Sequence, residues 1–152
     1  MSNNKTTTMA NSDIIENLRK AMESGDNHAF IDQFADNCVF EQPFALNSTQ
    51  GRIEGIEKLR AAFGVTNPLR QQFEIAKVHT LIYESNDADM ATVAFSIEGK
   101  TIATGVPFHI TSSVAIIAFQ NGKIIHYRDY NNAIGAAKIA GALSQLATSL
   151  TK

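Results

Sequence analysis

The sequence is short of several things, and each shortage excludes a class of protein. It has one cysteine, Cys38, so no internal disulfide framework can hold it. That suits a reducing, cytoplasmic setting and leaves the apolar core to carry the fold. Its 13 Lys and Arg form no cluster and the formal net charge is -2, so nucleic acid is not expected as a partner. Its four His and one Cys show no HxH, HExxH or CxxC spacing, and no metal site is expected. The nine Gly are dispersed rather than gathered into a phosphate-cradling loop, and no cofactor is expected. No apolar run reaches the roughly 18 residues of a membrane helix, so no membrane association is expected. Met1 to Ser12 is polar, lacks the apolar segment of a signal peptide, and reads as a flexible tail over 1–12. Residues 13–152 then make one domain, a length well suited to a single core.

The apolar pattern changes period along the chain. Ile14, Ile15, Leu18, Ala21 and Met22 recur at helical spacing, with Asp13 and Glu16 as a capping box. Ser24-Gly25-Asp26 ends this helix and offers Asp26 as the next N-cap, ahead of a short helix that turns Ala29, Phe30, Ile31 and Phe34 inward. Ala35-Asp36-Asn37 reads as a turn and Cys38 to Phe44 as a strand, kept short or at an edge by Pro43. Ile53, Ile56, Leu59, Arg60 and Phe63 predict a third helix, closed by Gly64 and Pro68. Long strands follow over Arg70 to Tyr83, Met90 to Glu98 and Val106 to Phe119, with Asn86-Asp87 and Gly99-Lys100 as turn signals. Asn121-Gly122 reverses the chain into a fourth strand, and one last helix from about Ala133 turns Ile139, Leu143, Leu146 and Leu150 inward. Helices gathered before a meander predict an α+β fold, a curved, mostly antiparallel sheet wrapped around helices as a cone-shaped barrel.

The fourth strand carries the candidate site. Alternation places Tyr127, Asp129 and Asn131 on one face and His126, Arg128 and Tyr130 on the other. Asp129 is the candidate catalytic residue, since a carboxyl enclosed by aromatics and an apolar interior is suited to acid/base work. Gln42 could bind a ligand's polar group or satisfy Asp129; Tyr127 and Asn131 would line the same pocket, and His109 is a further candidate near a strand start. Phe40 and Phe95 belong to the core and would also wall a pocket for an apolar, uncharged ligand.

These residues also carry a family likeness. Ser24-Gly25-Asp26, the run Phe34-Ala35-Asp36-Asn37-Cys38-Val39-Phe40-Glu41-Gln42-Pro43, Gly51 leading into Ile56 and Phe63, and Gly122-Lys123-Ile124 through Arg128-Asp129-Tyr130 stand in order along the chain. Together they resemble the SnoaL-like and ketosteroid isomerase-like branch of the nuclear transport factor two-like superfamily. The resemblance implies the cone-shaped α+β barrel. It does not fix an activity, because the fold hosts enzymes, binding proteins and transport factors.

Residue by residue, the likeness removes two known mechanisms. Where ketosteroid isomerases carry their general-base Asp this chain has Gln42, and an amide cannot abstract a proton at neutral pH. Leu18 and Ala115 match the positions of their oxyanion donors. Of the Asp-Arg-Asp trio of limonene epoxide hydrolases only Asp129 remains, with Ala91 and Val93 closest to the other two. SnoaL-like cyclases resemble the chain in keeping a late-strand Asp as acid/base. The expected function is therefore binding of a small hydrophobic, cyclic molecule, with cofactor-independent acid/base chemistry through Asp129. A non-catalytic binding protein or a dimeric adaptor is the alternative. Val114, Ile116 and Ala118 alternate with the equally apolar Ala115, Ile117 and Phe119, so both faces of the sheet need cover and a homodimer through the outer face is expected.

Overall fold

The computed structural model describes residues 9–45, 51–64 and 70–151. Two helices, α1 (Asn11–Ser24) and α2 (Asn27–Ile31), precede strands β1 (Phe34–Glu41) and β2 (Arg52–Glu54) and helix α3 (Ile56–Phe63). A short 3-10 turn at Arg70–Gln72 leads into four long strands: β3 (Phe73–Glu84), β4 (Met90–Thr101), β5 (Pro107–Gln120) and β6 (Lys123–Asn131). Helices α4 (Ala133–Ile139) and α5 (Leu143–Leu150) follow. The six strands form one sheet in the order β2-β1-β6-β5-β4-β3, antiparallel throughout except where β1 runs parallel to β6.

The helices cover one face. Helix α1 buries Ile14, Ile15, Leu18 and Ala21, as its spacing requires, and packs on β3; α3 buries Ile56 and Leu59 and packs on β1. The opposing sheet residues are Phe40, Val78, Val93, Phe95, Ala115, Ile117 and Ile124, each at most 3% exposed. Strand β3 is an edge, and α1 satisfies part of it. Val78 N–H donates to Glu23 Oε2 (2.9 Å) while Arg19 Nη1 donates to Val78 O (3.2 Å), so an i,i+4 ion pair docks on the free edge.

Some of the turn and cap signals hold. Asp26 accepts from Ala29 N–H at 3.0 Å as the N-cap of α2. Asn121 (φ 52°) and Gly122 (φ 74°) both take positive φ in the tight reversal between β5 and β6. Other expectations are corrected. Helix α1 starts at Asn11 behind Ala10, without a side-chain cap, so Asp13 serves its first turn rather than a capping box. The expected tail thus gives way to helix at Asn11, and its residues 1–8 lie outside the described ones. Ala35-Asp36-Asn37 is part of β1, where the register with β6 shifts between Phe34 and Val39. Ile53 sits on β2, so the third helix begins only at Ile56; Pro68, its expected terminator, is outside the described residues.

Gly99-Lys100 is no turn. Both residues are inside β4, where a Cβ on Gly99 would come within 2.2 Å of Glu74 O. The glycine permits close strand approach beside the register shift between Ile75 and Lys77. The last helix is two helices, broken at Gly141 (φ 67°), and Leu143 and Leu150 are exposed rather than inward. Among the described residues no helix is long and apolar enough to cross a membrane.

Candidate functional site

Asp129 comes to the helix-covered face through a β-bulge. Phe119 pairs with Ile124 and Ala118 with His126, which leaves Ile125 as the extra residue of β6. The bulge keeps Ile124 on the same face as Tyr127 and Asp129, where strict alternation would have chosen Ile125. Ile124 is fully buried and Tyr127 is 3% exposed, while Asp129 is half-buried. Ala115 lies directly opposite Asp129 on β5 and is fully buried.

The parallel pairing of β1 with β6 aligns Glu41 with Arg128, so the next residue, Gln42, emerges beside Asp129. Gln42 Nε2 donates to Asp129 Oδ2 at 3.4 Å, a long contact for this kind of bond. Gln42 is itself held by its main chain, donating to Gly51 O (2.8 Å) and accepting from Ala45 N–H (3.0 Å). Burial raises the Asp129 carboxyl above the usual aspartate value, and the Gln42 hydrogen bond opposes only part of that rise. The arrangement gives a carboxyl that can hold a proton at higher pH than a solvated aspartate.

Tyr127 forms the floor next to it. Its ring stacks on Phe40 (centroids 5.2 Å, 10° between planes) and meets Phe34 at 5.7 Å and Phe30 edge-on at 6.0 Å. Phe63 closes the cluster edge-on to Phe40 at 5.1 Å. Burial first, and the Asp129 charge second, hold the Tyr127 phenol well above its ordinary range, so it stays protonated. Phe95, fully buried on β4, lies opposite Ser113 on β5, and Ser113 lies opposite Asn131 on β6. Asn131 is exposed at the strand end, where it lines a cleft of about 500 Å³ with Ser112, α4 and α5.

Gln42, Phe40, Tyr127 and Asp129 are thus brought together, with Phe95 two strands away on the same face. His109 is not. It pairs with Glu98 on the outer face, its ring 5.7 Å from that of His79, and His79 Nε2 stands 2.5 Å from Glu98 Oε2. The reason is a second bulge, between Ser113 and Thr111, which reverses the facing of every β5 residue before it. Glu41 is the centre of an outer-face knot. Its Oε1 lies 2.5 Å from His126 Nε2 and 2.9 Å from Arg52 Nη1.

The sequence pattern did not single out Ser113, and it turned Phe30 and Phe34 inward as core. The available signal for Ser113 was a run of hydroxyl residues, Thr111-Ser112-Ser113, in the middle of β5 just ahead of its apolar second half. Leu18 and Ala115, at the matched oxyanion positions, are fully buried and offer no donor side chain; Ala91 and Val93 are buried apolar residues as well.

Comparison with known proteins agrees with this architecture. The family described as the SnoaL-like domain matches residues 15–127. The uncharacterised protein YesE of Bacillus subtilis (strain 168) is 30% identical over 121 residues, 77% of this chain and 80% of its own. Among solved structures, a candidate isomerase from Bacillus subtilis superposes with a TM-score of 0.70 at 23% identity, covering 86% of this chain and 92% of its own. A Catenulispora acidiphila protein with a ketosteroid isomerase-like fold, solved in complex with trimethylamine, gives 0.61 at 14% identity, covering 84% of this chain and 92% of its own. At such identities the two structures speak for the fold.

Proposed function

The chain belongs to the SnoaL-like domain family, and on that premise we propose that it binds a small hydrophobic, cyclic molecule in the cone between sheet and helices, with cofactor-independent acid/base chemistry through Asp129. The observation that carries this reading is the carboxyl of Asp129. Burial raises its pKa, the Gln42 amide is the one hydrogen bond set against that rise, and its neighbours are Tyr127, Phe40 and Ala115. A carboxyl kept among rings and aliphatic walls costs the fold stability, and such groups concentrate at functional sites. The chemistry available is a proton transfer of isomerase, cyclase or hydrolase type at an apolar substrate. The steroid isomerase route lacks its base and donors at Gln42, Leu18 and Ala115. A bound small molecule in the Catenulispora acidiphila relative is compatible with this use of the fold.

The same three residues favour a second reading, a binding protein that retains the pocket without turnover. Native mass spectrometry of the protein purified from its own host separates these from an empty scaffold. A co-purifying small apolar molecule, lost on mild denaturation, is the expected result. A mass equal to the bare chain, from cells in which the protein is active, counts against both.

We further propose that the outer face of the sheet is a homodimer interface. Val114, Ile116 and Ala118 stay only half-buried there, and Phe44, 68% exposed, packs edge-on against Tyr130 at 5.1 Å.

A further inference from the structure

We propose that Ser113 contacts the ligand and, together with Asp129, fixes the polar end of the bound molecule; the inference rests on the pocket reading above. Ser113, at 8% exposure, is the one buried described residue besides Tyr127 and Cys38 whose side chain carries a polar group. The inward residues after it on β5 are Ala115, Ile117 and Phe119, and its partner across β4 is Phe95. A hydroxyl among such neighbours is disfavoured unless it is hydrogen bonded, and alanine or valine would fill the position without that cost.

The local backbone turns this hydroxyl inward. Phe95 pairs with Ser113 and Ser96 with Thr111, which makes Ser112 the extra residue of a bulge. Ser112 meets the bulge's own polar needs. Its Oγ donates to Phe95 O (3.1 Å), and its carbonyl accepts from Asn132 N–H (2.8 Å). Ser113 is left facing the cone. Bulges are found beside active sites, where they re-aim a side chain.

Ala115 is opposite Asp129 and Ser113 is opposite Asn131, so Ser113 and Asp129 are diagonal neighbours on one face. Diagonal neighbours are about 7–8 Å apart, a gap that two short polar side chains span with one ligand oxygen between them. Away from this corner the face is apolar, from Phe40 to Phe95. The ligand class that fits is a neutral molecule with one hydroxyl or carbonyl oxygen at the end of an apolar ring body. Ser113 donates to or accepts from that oxygen and so sets its distance from the Asp129 carboxyl.

The test is a fluorescence titration of the full chain with 2-naphthol and with naphthalene, which share a ring body and differ in the oxygen. Wild-type protein is expected to prefer 2-naphthol. Ser113→Ala is expected to lower 2-naphthol affinity roughly five- to tenfold, the loss of one net hydrogen bond. It should leave naphthalene affinity unchanged, and Ser113→Thr, which keeps the hydroxyl, should retain the preference. Unchanged 2-naphthol binding by Ser113→Ala, or equal weakening of both probes, overturns the role of Ser113 and leaves the pocket standing. Binding of neither probe by wild-type protein overturns the pocket itself.

Discussion

Asp129 is the residue at which position and charge are most at odds. Its folded pKa is raised by burial above a reference value of 3.8. A raised folded pKa means that the protonated form is favoured by folding. The contribution is present below the unfolded pKa and lost as pH rises through the folded value. At neutral pH the carboxylate therefore destabilises the fold, and Asp129→Asn should be more stable than wild type. The gap should close as pH falls toward 3.8. Urea midpoints at pH 7.5 and pH 4 check this; an equal gap at both would disconnect the effect from titration. Tyr127 makes the opposite case. Buried against three phenylalanines, Tyr127→Ala should cost roughly 3–5 kcal/mol in urea denaturation. Both residues were legible in the sequence because alternation holds from Tyr127 onward. His109 was not, because alternation carried back from Ala115 crosses the bulge at Ser112 and then names the wrong face.

Strand irregularities decide what alternation and turn chemistry cannot. Positive φ at Asn121-Gly122 and the Asp26 cap follow from the residues themselves, so these element ends were readable. Gly99 was mistaken for a turn because glycine serves both turns and close strand contacts, and only its neighbour across β3 shows which. The break at Gly141 was hidden because Ile139 before it and Leu143, Leu146 and Leu150 after it continue at helical spacing, yet α5 buries none of its residues. Gly99→Ala tests the close contact. A methyl 2.2 Å from the Glu74 carbonyl must push β3 and β4 apart, and the cost should be about 1–3 kcal/mol by chemical denaturation. An unchanged midpoint would mean that the strands separate freely there.

At the scale of the whole molecule, the order of helices before a meander was enough to read a curved sheet closed by helices. The parallel junction of β1 with β6 was not readable, since no local signal distinguishes it from an antiparallel one. That junction is what sets Gln42 beside Asp129. The outer face bears on assembly. Tyr130 lies opposite Val114, and Arg128 opposite Ile116, on a surface the chain's own helices α1 and α3 do not cover. Sedimentation at micromolar concentration should give a dimer, and Ile116→Asp should shift it to monomer without unfolding it. A wild-type monomer under those conditions would remove the interface.

The central claim is that Asp129 is a proton-holding carboxyl at the polar corner of an apolar pocket. Titration of its side-chain carboxyl carbon by NMR tests this most directly, with Gln42→Ala as a companion to remove the opposing hydrogen bond. The expected result is a pKa above 3.8 in the wild type and higher still in the variant. A pKa at or below that of a free aspartate would make Asp129 a solvated structural residue and contradict the account.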